Sequence, residues 1–167
     1  MSTAPGPDRG KAYPAEDIVV TFDGKRCLHS QECVRGLPEV FDTDRRPWID
    51  PARAPAEQVA DVIRRCPSGA LHYTLTGGPP ETPVHPTRVH VVAAGPLVLH
   101  GHIRITTTDG AHLHETRAAM CRCGATGNAP FCDGSAGCEL TGRDWGQRDG
   151  PGRPPTGPPE TDPAETP

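Results

Sequence analysis

Seven cysteines in a chain of 167 residues fall into two sets: Cys27, Cys33 and Cys66, then Cys121, Cys123, Cys132 and Cys138. Between them lies a proline-rich break, TGGPPETPVHP from Thr76 to Pro86. Each flanking stretch is too short to bury a large apolar core, and small cores need disulfides or metal to hold them. Composition agrees, with 34% hydrophobic residues, 4% aromatic residues, 19 glycines and 21 prolines. The cysteines are therefore expected to be the staples of two small domains.

Which kind of staple depends on the compartment. No apolar run is long enough to span a bilayer, and the opening MSTAPGPDRGKAYPAED lacks the apolar stretch of a secretion signal. A cytoplasmic location is expected, where thiols stay reduced and clustered cysteines are metal or redox ligands rather than bridges. The net charge of -4 gives no basic footprint for nucleic acid or an anionic membrane. It suits docking on a basic surface of another protein.

Periodicity gives an α+β organisation. Residues 1–15 and 149–167 are polar and rich in Pro and Gly, and are expected to be disordered tails. A first domain is expected over 16–76, a linker over 77–86 and a second domain over 87–148. In the first, IVVTF (Ile18 to Phe22) reads as a strand, followed by an irregular cysteine loop. In PAEQVADVIRRC, Val59, Val62, Ile63 and Cys66 fall at helical spacing, with Pro55 suited to the first helical position. Pro67 ends that helix and ALHYTL follows as a second strand. The second domain reads as all strand and turn. A bulged hairpin turn at Thr108, Asp109 and Gly110 pairs Ile105 with Leu113. Strict alternation then puts Leu97, Leu99, Ile103, Ile105 and Leu113 on one face and His100, His102, His112 and His114 on the other, a face read as solvated.

The second cysteine set has the spacing C-x-C-x8-C-x5-C, in CRCGATGNAPFCDGSAGC. Two thiolates one residue apart can converge on one iron, and a Gly-rich turn can return a third. Cys121, Cys123, Thr126, Pro130, Cys132, Asp133, Gly134 and Ser135 resemble the CDGSH iron-sulfur family, and the resemblance extends over roughly residues 84 to 140. It implies a 2Fe-2S cluster held by three cysteines and a histidine. Ala136 stands where that histidine belongs and cannot ligate. Cys138, two residues on, can serve instead if the Ala136-Gly137 turn is tight, and a thiolate there should give a more reducing and less acid-labile centre. Four thiolates also suit tetrahedral zinc, although zinc sites more often show C-x2-C.

The first set, in RCLHSQEC and a later RCPSG, has Ser30 at the middle position of a ferredoxin-type C-x2-C-x2-C loop, with Cys66-Pro67 as the remote ligand. The segment from Ile18 to Tyr73 resembles the divergent mono-cluster ferredoxins, and more distantly the three-cysteine 3Fe-4S ferredoxins. The resemblance implies that Cys27, Cys33 and Cys66 hold a 4Fe-4S or 3Fe-4S cluster. His29 and Ser30 are the candidates for a fourth ligand.

No Ser-His-Asp arrangement, phosphate loop or dinucleotide fingerprint is present, so an enzyme with its own substrate pocket is not expected. Trp48 and Trp145 read as local packing anchors. The expected function is iron-sulfur binding and one-electron transfer between redox partner proteins. The alternatives are an iron-sulfur sensor or cluster-transfer module, and a zinc-stapled interaction protein.

Overall fold

The computed structural model describes residues 9–141 and Trp145. It contains two antiparallel three-stranded sheets and two α-helices, an α+β architecture in two modules. The first sheet has the order β1 (Lys11–Pro14), β2 (Ile18–Phe22), β3 (Leu71–Leu75). Its register pairs Val20 with both Tyr13 and Tyr73, and Ile18 with Leu75. These side chains share one face because strand residues alternate. Against that face lies α2 (Ala56–Ile63), which buries Val59, Ala60, Val62 and Ile63. The short α1 (Glu32–Gly36) stands in the cysteine loop.

Two sequence expectations shift here. Residues 11–14, assigned by composition to a disordered tail, form β1, and Tyr13 is 7% exposed in the core. A strand can be built from polar residues when one inward side chain is large enough to anchor it. Pro55 is the N-cap of α2 and not its first helical residue, and Cys66 lies in the turn beyond the helix. The tail expected at 149–167 lies outside the described residues.

The second sheet has the order β4 (Arg88–Val91), β5 (Leu97–Thr106), β6 (His112–Met120). Ile105 pairs with Leu113 across the expected turn. Between His100 and Ile103, however, β5 carries one extra residue relative to β6, so that His100 faces Arg117 and Ile103 faces Glu115. A bulge of one residue reverses the alternation. Val98, 0% exposed, and His100 are thereby brought to the face of Ile103 and Ile105, while Leu97 and Leu99 stay half-buried. His100 accordingly leaves the expected histidine face and packs 6.1 Å from the Trp145 ring. His102, His112 and His114 are exposed.

The modules do not stand apart. On the outer face of the first sheet, Thr21 pairs with His72, and both are buried, at 8% and 4% exposure, because the second module covers them. His72 Nδ1 lies 2.9 Å from Glu81 and its Nε2 3.5 Å from Glu115. Arg26 pairs with Glu115 at 2.9 Å and stacks 3.9 Å over the Phe131 ring. Arg117 of β6 pairs with Glu81 and donates to the carbonyls of Ile63, Cys66 and Leu71. The segment expected as a bare linker thus inserts Glu81 into this seam, with its side chain 9% exposed.

Gly69 permits the approach. At φ +69° it brings the turn after Cys66 so close to β6 that an added Cβ would lie 2.2 Å from the Arg117 carbonyl oxygen. Among the described residues no helix is long and apolar enough to cross a membrane.

Candidate metal centres

All seven cysteines are free thiols. In the first module, the turn after β2 delivers Cys27, α1 delivers Cys33, and the turn closing α2 delivers Cys66. The three line one cavity of about 600 Å³, with His29, Ser30, Gln31, Arg46 and Trp48 also on its wall. Trp48 is fixed edge-on to Phe22, with ring centroids 4.8 Å apart. The thiols lie close enough to influence one another. Burial pushes the Cys33 thiol up to about 12, and Cys66 and Cys27 add to the shift. Burial also raises the Cys27 thiol, against the pull of the His29 N–H, while Cys66 and Glu139 raise it further.

Bare thiols in such a place hold their protons, and a metal that displaces them supplies folding energy as it binds. The loop between Cys27 and Cys33 is strained, with non-glycine residues in the left-handed region at His29 (φ 53°) and Gln31 (φ 65°). Such strain persists only where surrounding structure enforces it. Here the loop directs the N–H groups of His29 and Val34 at the sulfurs of Cys27 and Cys33, the donor arrangement that tunes a cluster. Among the described residues no three His, Cys, Asp or Glu side chains close on a single metal ion, but the three thiols line one cavity with room for a multi-atom cluster that bridges them. Both fourth-ligand candidates reach its wall, but His29 turns its Nδ1 to Glu139 at 3.3 Å.

In the second module, β6 ends at Met120 and hands the chain directly to Cys121. The Cys121 and Cys123 sulfurs are 3.7 Å apart. That is the edge of a tetrahedron whose metal-sulfur bonds are about 2.3 Å, so the two can share one metal. Cys132, 3% exposed, contacts Cys138, 6% exposed, and both lie within electrostatic range of the first pair. The turn that returns Cys138 is tight: the Gly137 N–H donates to the Gly134 carbonyl at 3.0 Å, with Gly137 at φ 71°. Ala136 itself is exposed.

Backbone N–H groups converge on these sulfurs too. Burial raises the Cys121 thiol, but N–H groups of Gly124 and Thr126, with the Cys123 thiol, outweigh it and bring the net shift below the ordinary value. The Ala125 N–H donates to the Cys123 sulfur at 3.4 Å. Asp133 secures the loop by accepting from the N–H groups of Gly127 at 2.8 Å and Ser135 at 3.0 Å. Its carboxyl falls to about 2, first because of the Ser135 hydroxyl and then because of the two N–H groups. The four thiols do not close on one metal ion in this arrangement; their chemistry suits a cluster whose separate metal atoms would each take two of them.

The clamp role of Asp133 and the contribution of the seam were absent from the sequence reading. An Asx turn before Gly134 was a signal for the first. For the second, the one sign was His72, a buried polar residue at the outward position of a strand.

Comparison with known proteins bears on both sets. Residues 13–76 match the family described as divergent 4Fe-4S mono-cluster. Residues 94–135 match the family described as iron-binding zinc finger, CDGSH type. Two curated relatives, each an uncharacterized protein YjdI, come from Escherichia coli strain K12 and Escherichia coli O157:H7. Each is 44% identical over 63 residues, covering 38% of this chain and 83% of the relative. No solved structure matches.

Proposed function

Because the chain belongs to the divergent 4Fe-4S mono-cluster family and joins to it a CDGSH-type iron-binding domain, we propose that it carries single electrons between larger redox proteins. It needs no substrate pocket for this. One electron is taken from a donor protein, which is oxidised, and given to an acceptor, which is reduced. The observation that carries the reading is the gathering of the cysteines into two sets, three around one cavity and four around one loop.

In this reading Cys27, Cys33 and Cys66 hold a 4Fe-4S or 3Fe-4S cluster, and Cys121, Cys123, Cys132 and Cys138 hold a 2Fe-2S cluster. When bound, these groups supply one-electron chemistry. The protein sets their potentials by N–H donation, burial and the choice of thiolate over imidazole. The functional compartment is one that keeps thiols reduced, and the net charge of -4 favours basic partners.

A second reading, as a sensor or cluster-transfer module, is favoured by one observation: Cys123 is exposed and Cys121 only half-buried. An accessible pair can be attacked or exchanged.

Iron and acid-labile sulfide per chain, measured on anaerobically purified protein, test the proposal. About five to six iron with about six sulfide is expected, and Cys138→Ala should remove about two of the iron. Zinc without sulfide would leave a metal-stapled binding protein. Loss of the second centre to an apo-acceptor, faster than any electron exchange, would favour cluster transfer.

A further inference from the structure

The two cysteine sites share a wall. Leu28 follows Cys27 by one residue, yet its side chain belongs to the second module. It is 1% exposed and lies in one buried cluster with Cys132, Cys138, Val98 and Leu140. Its carbonyl accepts the N–H of Leu140, two residues past Cys138, at 2.7 Å. Beside this bond, the His29 carbonyl accepts the Thr141 hydroxyl, and His29 Nδ1 faces Glu139.

A separate tie fixes the other end of the first site. Arg117, four residues before Cys121, donates to the Cys66 carbonyl at 3.0 Å. Arg26, next to Cys27 in the chain, donates to the carbonyls of Ser68 and Arg117 at 3.2 Å each. Cys27 and Cys66 are therefore each held, through the backbone beside them, to the segments that carry Cys138 and Cys121. The separation of the sites is set by close-packed, buried structure, which does not deform continuously.

From this geometry we infer that the two sites form one coupled redox unit. An electron received at either cysteine set passes to the other inside the same molecule, along the Cys27-Leu28 peptide, the Leu28-Leu140 hydrogen bond and the short stretch back to Cys138. The balance is simple: one centre is oxidised, the other is reduced by the same electron, and no further reactant takes part. Electron tunnelling weakens steeply with distance and crosses covalent and hydrogen-bonded links more readily than voids or solvent. The dry wall at Leu28 supplies such links. The inference rests on the preceding reading that both sets hold iron-sulfur centres.

The test uses the full chain with both centres loaded, reduced by less than one electron per chain through flash photolysis and followed by absorption and by freeze-quenched electron paramagnetic resonance. Redistribution between the two signals at a rate unchanged over a tenfold range of protein concentration is expected, as is redistribution already complete at the first time point at every concentration. A rate that rises tenfold with concentration would mean exchange between molecules and would overturn the inference. A second measurement needs no kinetics. With both centres paramagnetic, the slower-relaxing signal should saturate at higher microwave power than when its neighbour is diamagnetic, or than in Cys132→Ala if both centres reduce together. Two additive spectra with unchanged saturation overturn the coupling and leave the two-centre reading standing. Iron and sulfide sufficient for one centre alone remove that reading itself, and the coupling with it.

Discussion

A methyl group at position 69 would collide with the Arg117 carbonyl oxygen and crowd the Arg26 guanidinium, 2.2 and 2.7 Å from the position a Cβ would take. The first of these is backbone and cannot swing aside, and φ +69° is itself unfavourable for any side chain. Gly69→Ala is thus expected to destabilise the protein by more than about 1 kcal/mol and to disturb the turn that presents Cys66. A thermal melt alongside an iron assay checks this; an unchanged melt would mean that the seam yields easily. The contrast with Gly110 is useful. That residue also has positive φ, but its Cβ would meet nothing within 4 Å. Strain there would come from the backbone alone, so Gly110→Asn should be mild, since Asn tolerates the left-handed region, and should leave iron content unchanged.

At the scale of elements, β6 organises the molecule. Its inner face carries Leu113, Glu115, Arg117 and Ala119 across from β5, and its end starts the second cysteine loop. Glu81 is the counter-charge to Arg117 and His72. Burial by itself would raise the Glu81 carboxyl, but Arg117 and then His72 outweigh it and hold it far below the usual carboxylate range. Glu115 is likewise lowered against its burial, by His72 and Arg26. A carboxyl with a depressed folded pKa adds stability above its unfolded value of about 4.3 and loses it as pH falls toward the folded value. Burial holds His100 at about 4, below its ordinary value, so the apoprotein melting temperature should begin to decline below about pH 6.5, where the unfolded chain takes up that proton, and fall more steeply below about 4.3 as the two carboxyls lose their contribution. Glu81→Gln leaves Arg117 and His72 buried with less compensation, at an expected cost of about 3–5 kcal/mol. Urea denaturation at pH 7 measures it, and the acid slope should shrink in the same variant.

Much of this scale was hidden in the sequence for physical reasons. Apart from β1, the strands, α2 and the hairpin turn were legible because apolar period and turn chemistry are local; β1 was not, because only Tyr13 among its residues is buried. The bulge in β5 was not, since one extra residue reverses every later side chain and leaves composition unaltered. The seam was hidden because Arg26, His72, Glu81, Glu115 and Arg117 are residue types usually placed in solvent, and are buried only because they pair. The cysteines were the most legible feature, through spacing and family resemblance. That Leu28 in the first loop packs on Cys132 and Cys138 followed from neither.

For the whole molecule, the seam predicts how the chain unfolds. Two modules joined by a loose tether melt separately, whereas modules sharing buried charge pairs and a common apolar cluster should melt as one. Calorimetry of the apoprotein is expected to show a single transition whose calorimetric and van't Hoff enthalpies agree. Two resolved transitions would show that the buried pairs contribute little across the interface. In the Glu81→Gln protein the single transition should split or broaden.

The short connection from β3 to β4 has one more consequence. A tether of this length turns the meeting of the two halves into a first-order event, at an effective concentration of roughly millimolar order. The interface can therefore be modest in intrinsic affinity and still be closed nearly all the time. Were the same halves made as separate polypeptides, each would expose Leu28, His72 or Glu115 to water and would depend on cellular abundance to find its counterpart. Covalent fusion fixes the ratio of the two halves at one to one in every molecule synthesised.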